Sequence, residues 1–426
     1  MKKSNPIVSP DMLVPFILLV ICFAAWGTAA NMTDPLVKVF SKIFTMSSLQ
    51  SALVQFSYYG AYFLLAIPAA FINKQFSYKA GVLTGLGCAA AGAFMFYPAS
   101  QVMQYNLFLA ALFVLAGGLS ILETSANPYV MSMGSEATAA RRLNLAQSFN
   151  PVGTSLGVFL ASTLILPNLN SATDEQRSNM TIEQLNLVMS AELDAVMRPY
   201  VGFACVLVIL WFAIARIKKT SENSVKEQQA PSQFVPTFKR LMSNKHYQFG
   251  VLAQFFNVAA QTCVWTFTIQ YVMEVEGSNE VAGGEILQYS MLVFLFSRFI
   301  MTWLMSYIRP SILLAVMGTI AAVLCFYLWL VPTPNSVWAL ISISACLSLM
   351  FPTIYAIALY GLGTDTKFGA AGLVMAILGG AIMPMIQAIF IDNYSVALSY
   401  IVPGICFIVV ATYAMFDLKS AKRVIE

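Results

Sequence analysis

The chain has 426 residues, of which 59% are hydrophobic and only 10% are charged, and its formal net charge is +4. An ordinary soluble domain has about 25% charged residues, so this composition excludes a water-soluble fold. Apolar segments of roughly 20 residues, long enough to cross a hydrocarbon core, recur along the chain with the basic residues between them. The positive charge therefore indicates membrane topology rather than a nucleic-acid partner.

Six transmembrane helices are predicted in the first half of the chain by a hydropathy window of about 19 residues. They span residues 12–31, 49–72, 79–97, 105–133, 143–165 and 200–217. The first resembles a cleavable signal peptide, because Lys2 and Lys3 precede its apolar run. We expect it to stay attached, since the charge pattern of the chain fits best when it is retained.

A polar stretch separates these helices from six more. Residues 219–244 contain Ser, Glu, Gln, Lys and two Pro without apolar periodicity, which is typical of a linker. Further helices are predicted at residues 247–272, 286–307, 311–331, 336–360, 369–390 and 396–416. The predicted fold is an all-α integral membrane protein of about twelve transmembrane helices, with a six-helix bundle in 1–218, a cytoplasmic linker in 219–244 and a second bundle in 245–426.

Weak internal repetition indicates that the two bundles are pseudo-symmetric. Pro128 in the fourth predicted helix and Pro352 in the tenth occupy corresponding places, and each precedes a cytoplasmic loop and a glycine-rich helix. Parallel halves related by an axis along the membrane normal produce such a pattern; chance similarity among Gly-rich and Pro-rich membrane helices is the alternative explanation.

The basic residues predict that both termini are cytoplasmic. In this orientation 18 of the 23 Lys and Arg residues fall in inside segments, and only Lys38, Lys42, Arg177 and Arg198 fall outside, while Arg298 lies within a span. Cytoplasmic loops of membrane proteins carry such an excess of Lys and Arg. We therefore expect a multi-pass membrane protein with both termini on the cytoplasmic side.

No metal centre and no cofactor site is predicted. All seven cysteines lie in apolar segments, their number is odd and no two have metal-ligand spacing, so neither a disulfide framework nor a zinc site is indicated. The single histidine, His246, follows Lys245 at the end of a basic loop. We interpret it as a solvated side chain rather than a proton relay.

Three ionisable residues are predicted to lie within the membrane or at its edge, where burial costs about 2.5–3.5 kcal/mol on insertion scales. Glu123 is flanked on both sides by apolar or small residues, and Asn127 follows it by one turn. Asp34 lies three residues after Asn31, just beyond the core of the first helix, where capping an outside loop is the alternative role. Arg298 has no second basic group nearby, so we interpret it as a structural or gating residue rather than a substrate clamp.

Two predicted helices carry a stripe of polar side chains in apolar surroundings. The fifth has Asn144, Gln147, Asn150 and Thr154, and the seventh has Gln254, Asn257, Gln261 and Trp265. Amides in membrane helices often bond only a neighbouring helix, but two stripes together with a buried carboxylate favour a hydrated cavity. A sugar fits such a cavity, because amides bond vicinal hydroxyls while a ring such as Trp26 or Trp265 covers its C–H face. The alternative role for each of these tryptophans is to anchor its helix at the membrane interface.

Several segments along nearly the whole chain match one transporter family. They are NMTDPL, IPAAFINKQFSYKAG, LETSANPYV, RLNLAQSFN, AQTCVW, SRFIMTW and GTDTKFG. In these segments the chain resembles the major facilitator superfamily, and more closely its fucose permease branch of proton-coupled sugar symporters. The run from Glu123 to Asn150 is the most specific, since a carboxylate, an Asn-Pro pair and the amide stripe occur there in order.

The resemblance implies a fold of two helical bundles, alternating access and proton-driven uptake of a neutral hexose or deoxyhexose. It implies that Asp34 and Glu123 are the protonatable pair. The substrate-binding residues expected from the resemblance and from the polar stripes are Asn31, Glu123, Gln147, Asn150, Gln261 and Trp265. The expected partners are a monosaccharide, protons and the lipid bilayer, and we expect a monomer to be functional.

Other functions remain open at this point. A channel would share the polar stripes but would need neither half-repeats nor a buried titratable carboxylate. An intramembrane enzyme would need a nucleophile, a metal or an acid–base constellation, for which the chain offers little. Within transporters, the alternatives are glucose, galactose or an amino sugar as substrate, and sodium as the coupling ion.

Overall fold

The computed structural model describes residues 6–33, 40, 43–44, 48–170, 176–177, 179–217 and 234–423. Within these ranges the chain is helical and contains no strand, as the predicted all-α fold requires. Asp34 and residues 218–233, which make up more than half of the predicted linker, lie outside the described residues.

The helices of the first half begin with α1 at Leu13. They are α1 Leu13–Thr33, α2 Ser48–Gln75, α3 Tyr78–Phe94, α4 Phe96–Val102, α5 Tyr105–Ser132, α6 Ala139–Gln147, α7 Asn150–Leu160 and α8 Ile182–Arg216. A short π-helical turn, Ala161–Ile165, extends α7. The sixth predicted span is the second part of α8, which is 35 residues long and begins with a capping box of Thr181 and Gln184.

The second half contains ten further α-helices in its described part. They are α9 Phe234–Ser243, α10 Lys245–Glu276, α11 Glu280–Leu304, α12 Pro310–Leu330, α13 Val337–Leu347, α14 Met350–Leu359, α15 Thr366–Met375, α16 Gly379–Asn393, α17 Val396–Ser399 and α18 Ile401–Arg423. Helix α9 lies in the stretch predicted as linker and was missed, because its apolar positions recur at helical spacing only over ten residues.

All twelve predicted spans coincide with helical segments. By length and composition, ten helical stretches among the described residues are apolar enough to cross a membrane. The other two predicted spans correspond to α2 and α10, which are 28 and 32 residues long and carry more polar side chains. The prediction of a multi-pass helical membrane protein is therefore confirmed.

Several predicted spans are divided between two helices, among them the two that contain Pro151 and Pro352. The fifth is interrupted at Ser148 and Phe149, between α6 and α7, and the tenth at Ser348 and Leu349, between α13 and α14. A proline follows each break, Pro151 or Pro352, and proline has no backbone N–H to continue the helical ladder. The amide stripe of the fifth span is consequently divided between two helices.

The chain groups into two compact units. The N-terminal unit comprises Leu13–Tyr129 and Phe149–Glu222, and the C-terminal unit comprises Met1–Met12, Val130–Ser148 and Asn223–Glu426. The predicted division of the sequence into bundles at 1–218 and 245–426 stays a prediction. What the units add is that α6, in the segment 130–148, packs against α11 and α14.

Small residues allow α1 and α7 to pack at very short distance inside the N-terminal unit. A Cβ atom on Gly153 would lie 1.8 Å from the Ala24 carbonyl oxygen, and one on Gly27 would lie 2.2 Å from the Asn150 carbonyl oxygen. Membrane helices associate through such small residues because backbone packing must replace the hydrophobic effect.

We expect Gly153→Ala to destabilise the protein by about 1–3 kcal/mol, the usual cost of overpacking. The matched control is Gly202→Ala in α8, where an added Cβ meets nothing within 4 Å. Because alanine favours a helix over glycine by up to about 1 kcal/mol, the control should be neutral or stabilising. Thermal unfolding of the purified protein in detergent measures both, and equal effects would contradict the packing argument.

Candidate functional site

Glu123 lies in α5 within the N-terminal unit and is 1% exposed. Among the described residues, neither of its carboxylate oxygens has a hydrogen bond of normal geometry, and the Asn127 side chain one turn later is the group that interacts with it. Burying a carboxylate without an ionic partner is costly unless it binds a proton or a hydrogen-bonding ligand. The position is therefore suited to both roles predicted for it.

Near Glu123, the structure adds Tyr58 and Tyr62, which were not identified as functional from the sequence, to Trp26, which was. The Trp26 Nε1 donates a hydrogen bond of 2.6 Å to the Tyr62 hydroxyl, and that hydroxyl is close enough to Glu123 for an electrostatic interaction. The Tyr58 ring lies 5.2 Å from the Tyr62 ring. The signal that could have found them is the cluster of three tyrosines in the second predicted span, at positions 58, 59 and 62.

The second half of the divided amide stripe packs against α1. The Asn31 Nδ2 donates to the Thr154 hydroxyl at 3.1 Å and to the Gly27 carbonyl at 3.0 Å. The Asn150 Nδ2 donates to the Phe23 carbonyl at 3.3 Å. An amide has both donors and an acceptor, and among the described residues no hydrogen bond to the amide oxygen of Asn31 or Asn150 is seen.

The first half of the stripe packs within the C-terminal unit. The Asn144 Nδ2 donates to the Thr353 hydroxyl of α14 at 3.1 Å, and the Gln147 side chain is buried at the end of α6. The sequence predicted one face of one helix, whereas the structure assigns Gln147 and Asn150 to different units.

Arg298 of α11 is buried and bonds backbone carbonyls. Its Nε donates to the Ser348 oxygen at 2.6 Å and its Nη1 to the Gln147 oxygen at 2.9 Å. These two carbonyls lie four residues before Pro352 and Pro151, so a proline has removed the N–H that each would normally accept.

The remaining contact of Arg298 is aromatic. Its guanidinium carbon lies 4.5 Å from the centre of the Phe294 ring, a distance at which a cation is attracted to the ring face. Within the described residues the guanidinium has no ion pair, which fits a structural role better than a role as a charge partner.

Helix α10 carries the second polar stripe. Gln254 and Asn257 are fully buried, and none of their four side-chain polar atoms has a hydrogen-bond partner among the described residues. Gln261 is half-buried, and Trp265 donates to the Ser344 hydroxyl at 3.1 Å while its ring contacts Phe294 at 5.0 Å. Buried amides normally find partners, so this stripe is chemically suited to a ligand rich in hydroxyls.

His246 differs from its interpretation as a solvated side chain. Its Nε2 lies 2.7 Å from the Asp417 Oδ1, and the Ser311 hydroxyl donates to the other oxygen of Asp417. This contact forms because His246 is at the start of α10 and Asp417 is near the end of α18, two helices that pack together. The described residues contain no group of His, Cys, Asp or Glu that could hold a metal ion.

Comparison with known proteins gives a consistent family. Residues 17–378 match the family model described as Major Facilitator Superfamily. The chain is 40% identical to an L-fucose-proton symporter of Haemophilus influenzae, over 98% of this chain and 99% of the relative. It is 33% identical to a glucose/galactose transporter of Brucella abortus, over 94% of this chain and 93% of the relative.

A solved structure agrees with these sequence relatives. The crystal structure of a Major Facilitator Superfamily transporter, FucP, in the outward conformation matches with a TM-score of 0.88 and 35% identity. The match covers 96% of this chain and 99% of that one. The resemblance predicted from the sequence motifs is therefore confirmed.

Arg298→Gln is expected to lower the transport rate while sugar affinity changes little. The substitution removes charge-assisted hydrogen bonds to two proline-freed carbonyls, each worth about 1.5–3 kcal/mol. At Gln147, a candidate sugar-binding residue, the lost bond is to the backbone and not to the side chain. Initial uptake rates and sugar binding to purified protein measure the two quantities. Arg198→Gln, at an arginine whose side chain is 77% exposed, is the control. A large loss of binding at normal expression would contradict the prediction.

Proposed function

Because the chain belongs to the Major Facilitator Superfamily, we propose that it transports a neutral monosaccharide together with protons. The family consists of transporters, so the chain is a transporter and not an enzyme. L-fucose is the expected sugar, since the relatives at 40% and 35% identity are named L-fucose-proton symporters. The observation that carries the proposal is Glu123, a buried carboxylate without an ion pair among the described residues.

The chemistry of Glu123 supports coupling between proton and sugar. Desolvation penalises the charged carboxylate, and either a proton or sugar hydroxyls acting as donors relieve this penalty. Glu123 then binds sugar and responds to protonation, while Asp34, near the end of the first span, carries the proton. Asp34 lies outside the described residues, so its role rests on its position in the sequence and on the family resemblance.

The substrate-binding set is proposed separately for each unit. In the N-terminal unit Asn31, Glu123 and Asn150 offer acceptors for sugar hydroxyls, and Trp26 and Tyr62 offer aromatic surface beside Glu123. In the C-terminal unit Gln147, Gln261 and Trp265 are the proposed contacts. The commitment of Arg298 to carbonyls supports a neutral substrate, because this cation is not available to an anionic one.

A second substrate class has one specific observation in its favour. A relative at 33% identity is named a glucose/galactose transporter, and these hexoses offer the same ring faces and vicinal hydroxyls. We further propose that the protein acts as a monomer in the bacterial inner membrane with both termini cytoplasmic, as the distribution of basic residues favours.

Gln147→Ala, Asn150→Ala and Trp265→Ala are each expected to weaken sugar binding by about 1–3 kcal/mol, the usual loss when a polar partner is left unpaired. Calorimetric titration of the purified variants with L-fucose, D-galactose and D-glucose measures the loss and ranks the sugars. Ser342→Ala is the control, at an exposed position of α13 where the hydroxyl donates only to the Trp338 carbonyl. Wild-type affinity in all three variants would remove the proposed residues from the sugar site.

Proton coupling is expected to separate from exchange in Asp34→Asn. One inward proton supplies about 2.3 kcal/mol at 100 mV, enough for roughly 50-fold accumulation at 1.4 kcal/mol per decade. Adding L-fucose to de-energised cells in unbuffered medium should make the medium more alkaline with the wild-type protein. Asp34→Asn should lose this signal and uphill transport but keep sugar counterflow, whereas Glu123→Ala should also lose binding.

The control for this experiment is Asp194→Asn, which removes an exposed carboxylate from α8 and should behave as the wild type. Full accumulation by Asp34→Asn would contradict the assignment of the proton carrier. If that accumulation were also abolished by a sodium ionophore but not by a protonophore, the coupling ion would be sodium.

A further inference from the structure

Helix α9 has an apolar face that no other part of the described chain covers. Val235, Phe238 and Met242 are 72%, 50% and 43% exposed. Helix positions advance by about 100° per residue, so these three side chains fall within an arc of about 60°. They form one continuous apolar strip along the helix.

The opposite side of α9 is held against the C-terminal unit. Thr237 and Leu241 are buried, and the Phe234 ring packs 5.4 Å from the Phe368 ring. Arg240 donates two hydrogen bonds to Asp365, of 2.8 Å from Nε and 2.6 Å from Nη2. This anchoring fixes which face of α9 points away from the unit.

Charge on α9 and around it is basic. Lys239, Arg240 and Lys245 occur between Phe234 and His246 without any acidic residue. Lys239 borders the apolar strip and forms no ion pair among the described residues. An open depression is lined by Lys239 and Arg240 together with Pro236, Ser243 and Asn244.

The position of α9 identifies what its exposed strip meets. A single residue, Asn244, separates it from α10, a 32-residue helix that corresponds to the seventh predicted span. With ten residues, α9 is about 15 Å long and too short to cross a hydrocarbon core of about 30 Å. Because α9 ends four residues before the predicted span begins at residue 247, its C-terminal end lies close to the boundary between hydrocarbon and water.

We propose that α9 is an interfacial helix that binds the surface of a bilayer containing anionic phospholipid. The strip of Val235, Phe238 and Met242 inserts at the boundary of headgroups and acyl chains, and Lys239 contacts lipid phosphate. An apolar face flanked by basic residues is the usual composition of such helices, whose binding combines apolar burial with attraction to anionic lipid.

Accessibility of a nitroxide label tests the insertion in full-length protein. Labels are placed at Phe238→Cys and, as the matched control on the polar face of the same helix, at Ser243→Cys. Cys88 and Cys205, the two cysteines that are not buried, are replaced by serine. In vesicles of phosphatidylcholine and phosphatidylglycerol, the label at 238 should be relaxed more by oxygen than by a water-soluble nickel complex, and the label at 243 should show the reverse.

Two outcomes would overturn the proposal. Equal access of the nickel complex at both positions would show that the strip faces water. Exclusion of both reagents at 238 would show that the strip is covered by protein, such as a second copy of this chain.

The contribution of charge is tested by Lys239→Gln. The association constant of the full-length protein for phosphatidylglycerol, measured by native mass spectrometry, should fall about five-fold, which corresponds to about 1 kcal/mol per basic residue near an anionic surface. Binding of phosphatidylcholine should not change. Lys419→Gln, an exposed lysine near the end of α18, is the matched control, and an equal fall in both variants would overturn the specific role of Lys239.

Discussion

Backbone carbonyls that lose their helical partner to proline must be satisfied by other groups in this protein. No water competes for such groups in hydrocarbon, and an unsatisfied one costs several kcal/mol. Arg298 serves the carbonyls freed by Pro151 and Pro352. Asn73 serves the carbonyl of Thr124, freed by Pro128, at 3.3 Å. Breaks and prolines can therefore occur in the spans without loss of the fold.

This constraint explains why a buried arginine here does not indicate an anionic substrate. Its Nε and Nη1 donate to backbone oxygens and its face lies against Phe294, so dipoles and a ring compensate the positive charge. Glu123 is in the opposite situation, since its carboxylate oxygens lack normal hydrogen bonds among the described residues. Of these two buried ionisable groups, the Glu123 carboxylate is the one that is left able to bind a proton or a ligand.

The close packing of α1 and α7 positions the candidate sugar-binding residues Asn31 and Asn150. Gly27 and Gly153 bring the two backbones together, which places Asn31 beside Thr154 and Asn150 beside the Phe23 carbonyl. Amide groups held in this way lose little conformational freedom when they bind a ligand. Helix α9 is likewise held in place, because Arg240 bonds Asp365 on one side, and its other side leaves an apolar strip for the membrane surface.

The sequence alone determined the class of the protein. Apolar segments of membrane-spanning length, the excess of basic residues in alternate loops and the isolated Glu123 are local properties, because hydrophobicity and charge act on each segment separately. They were sufficient to predict the helical membrane fold and the candidate carboxylate, whereas the family resemblance rests on the sequence motifs. Helix α9 was not predicted because its apolar pattern is short and lies beside a polar stretch.

Only the tertiary structure decided which partners the polar residues have. Nothing in the spacing of Asn144, Gln147 and Asn150 shows that the helix breaks between the last two, or that the Gln147 carbonyl accepts from an arginine 151 positions later. The Trp26 and Tyr62 side chains, which are 36 positions apart in the sequence, form a hydrogen bond. Hydrogen bonds between residues far apart in sequence depend on how the helices pack, and periodicity within a single helix carries no information about that packing.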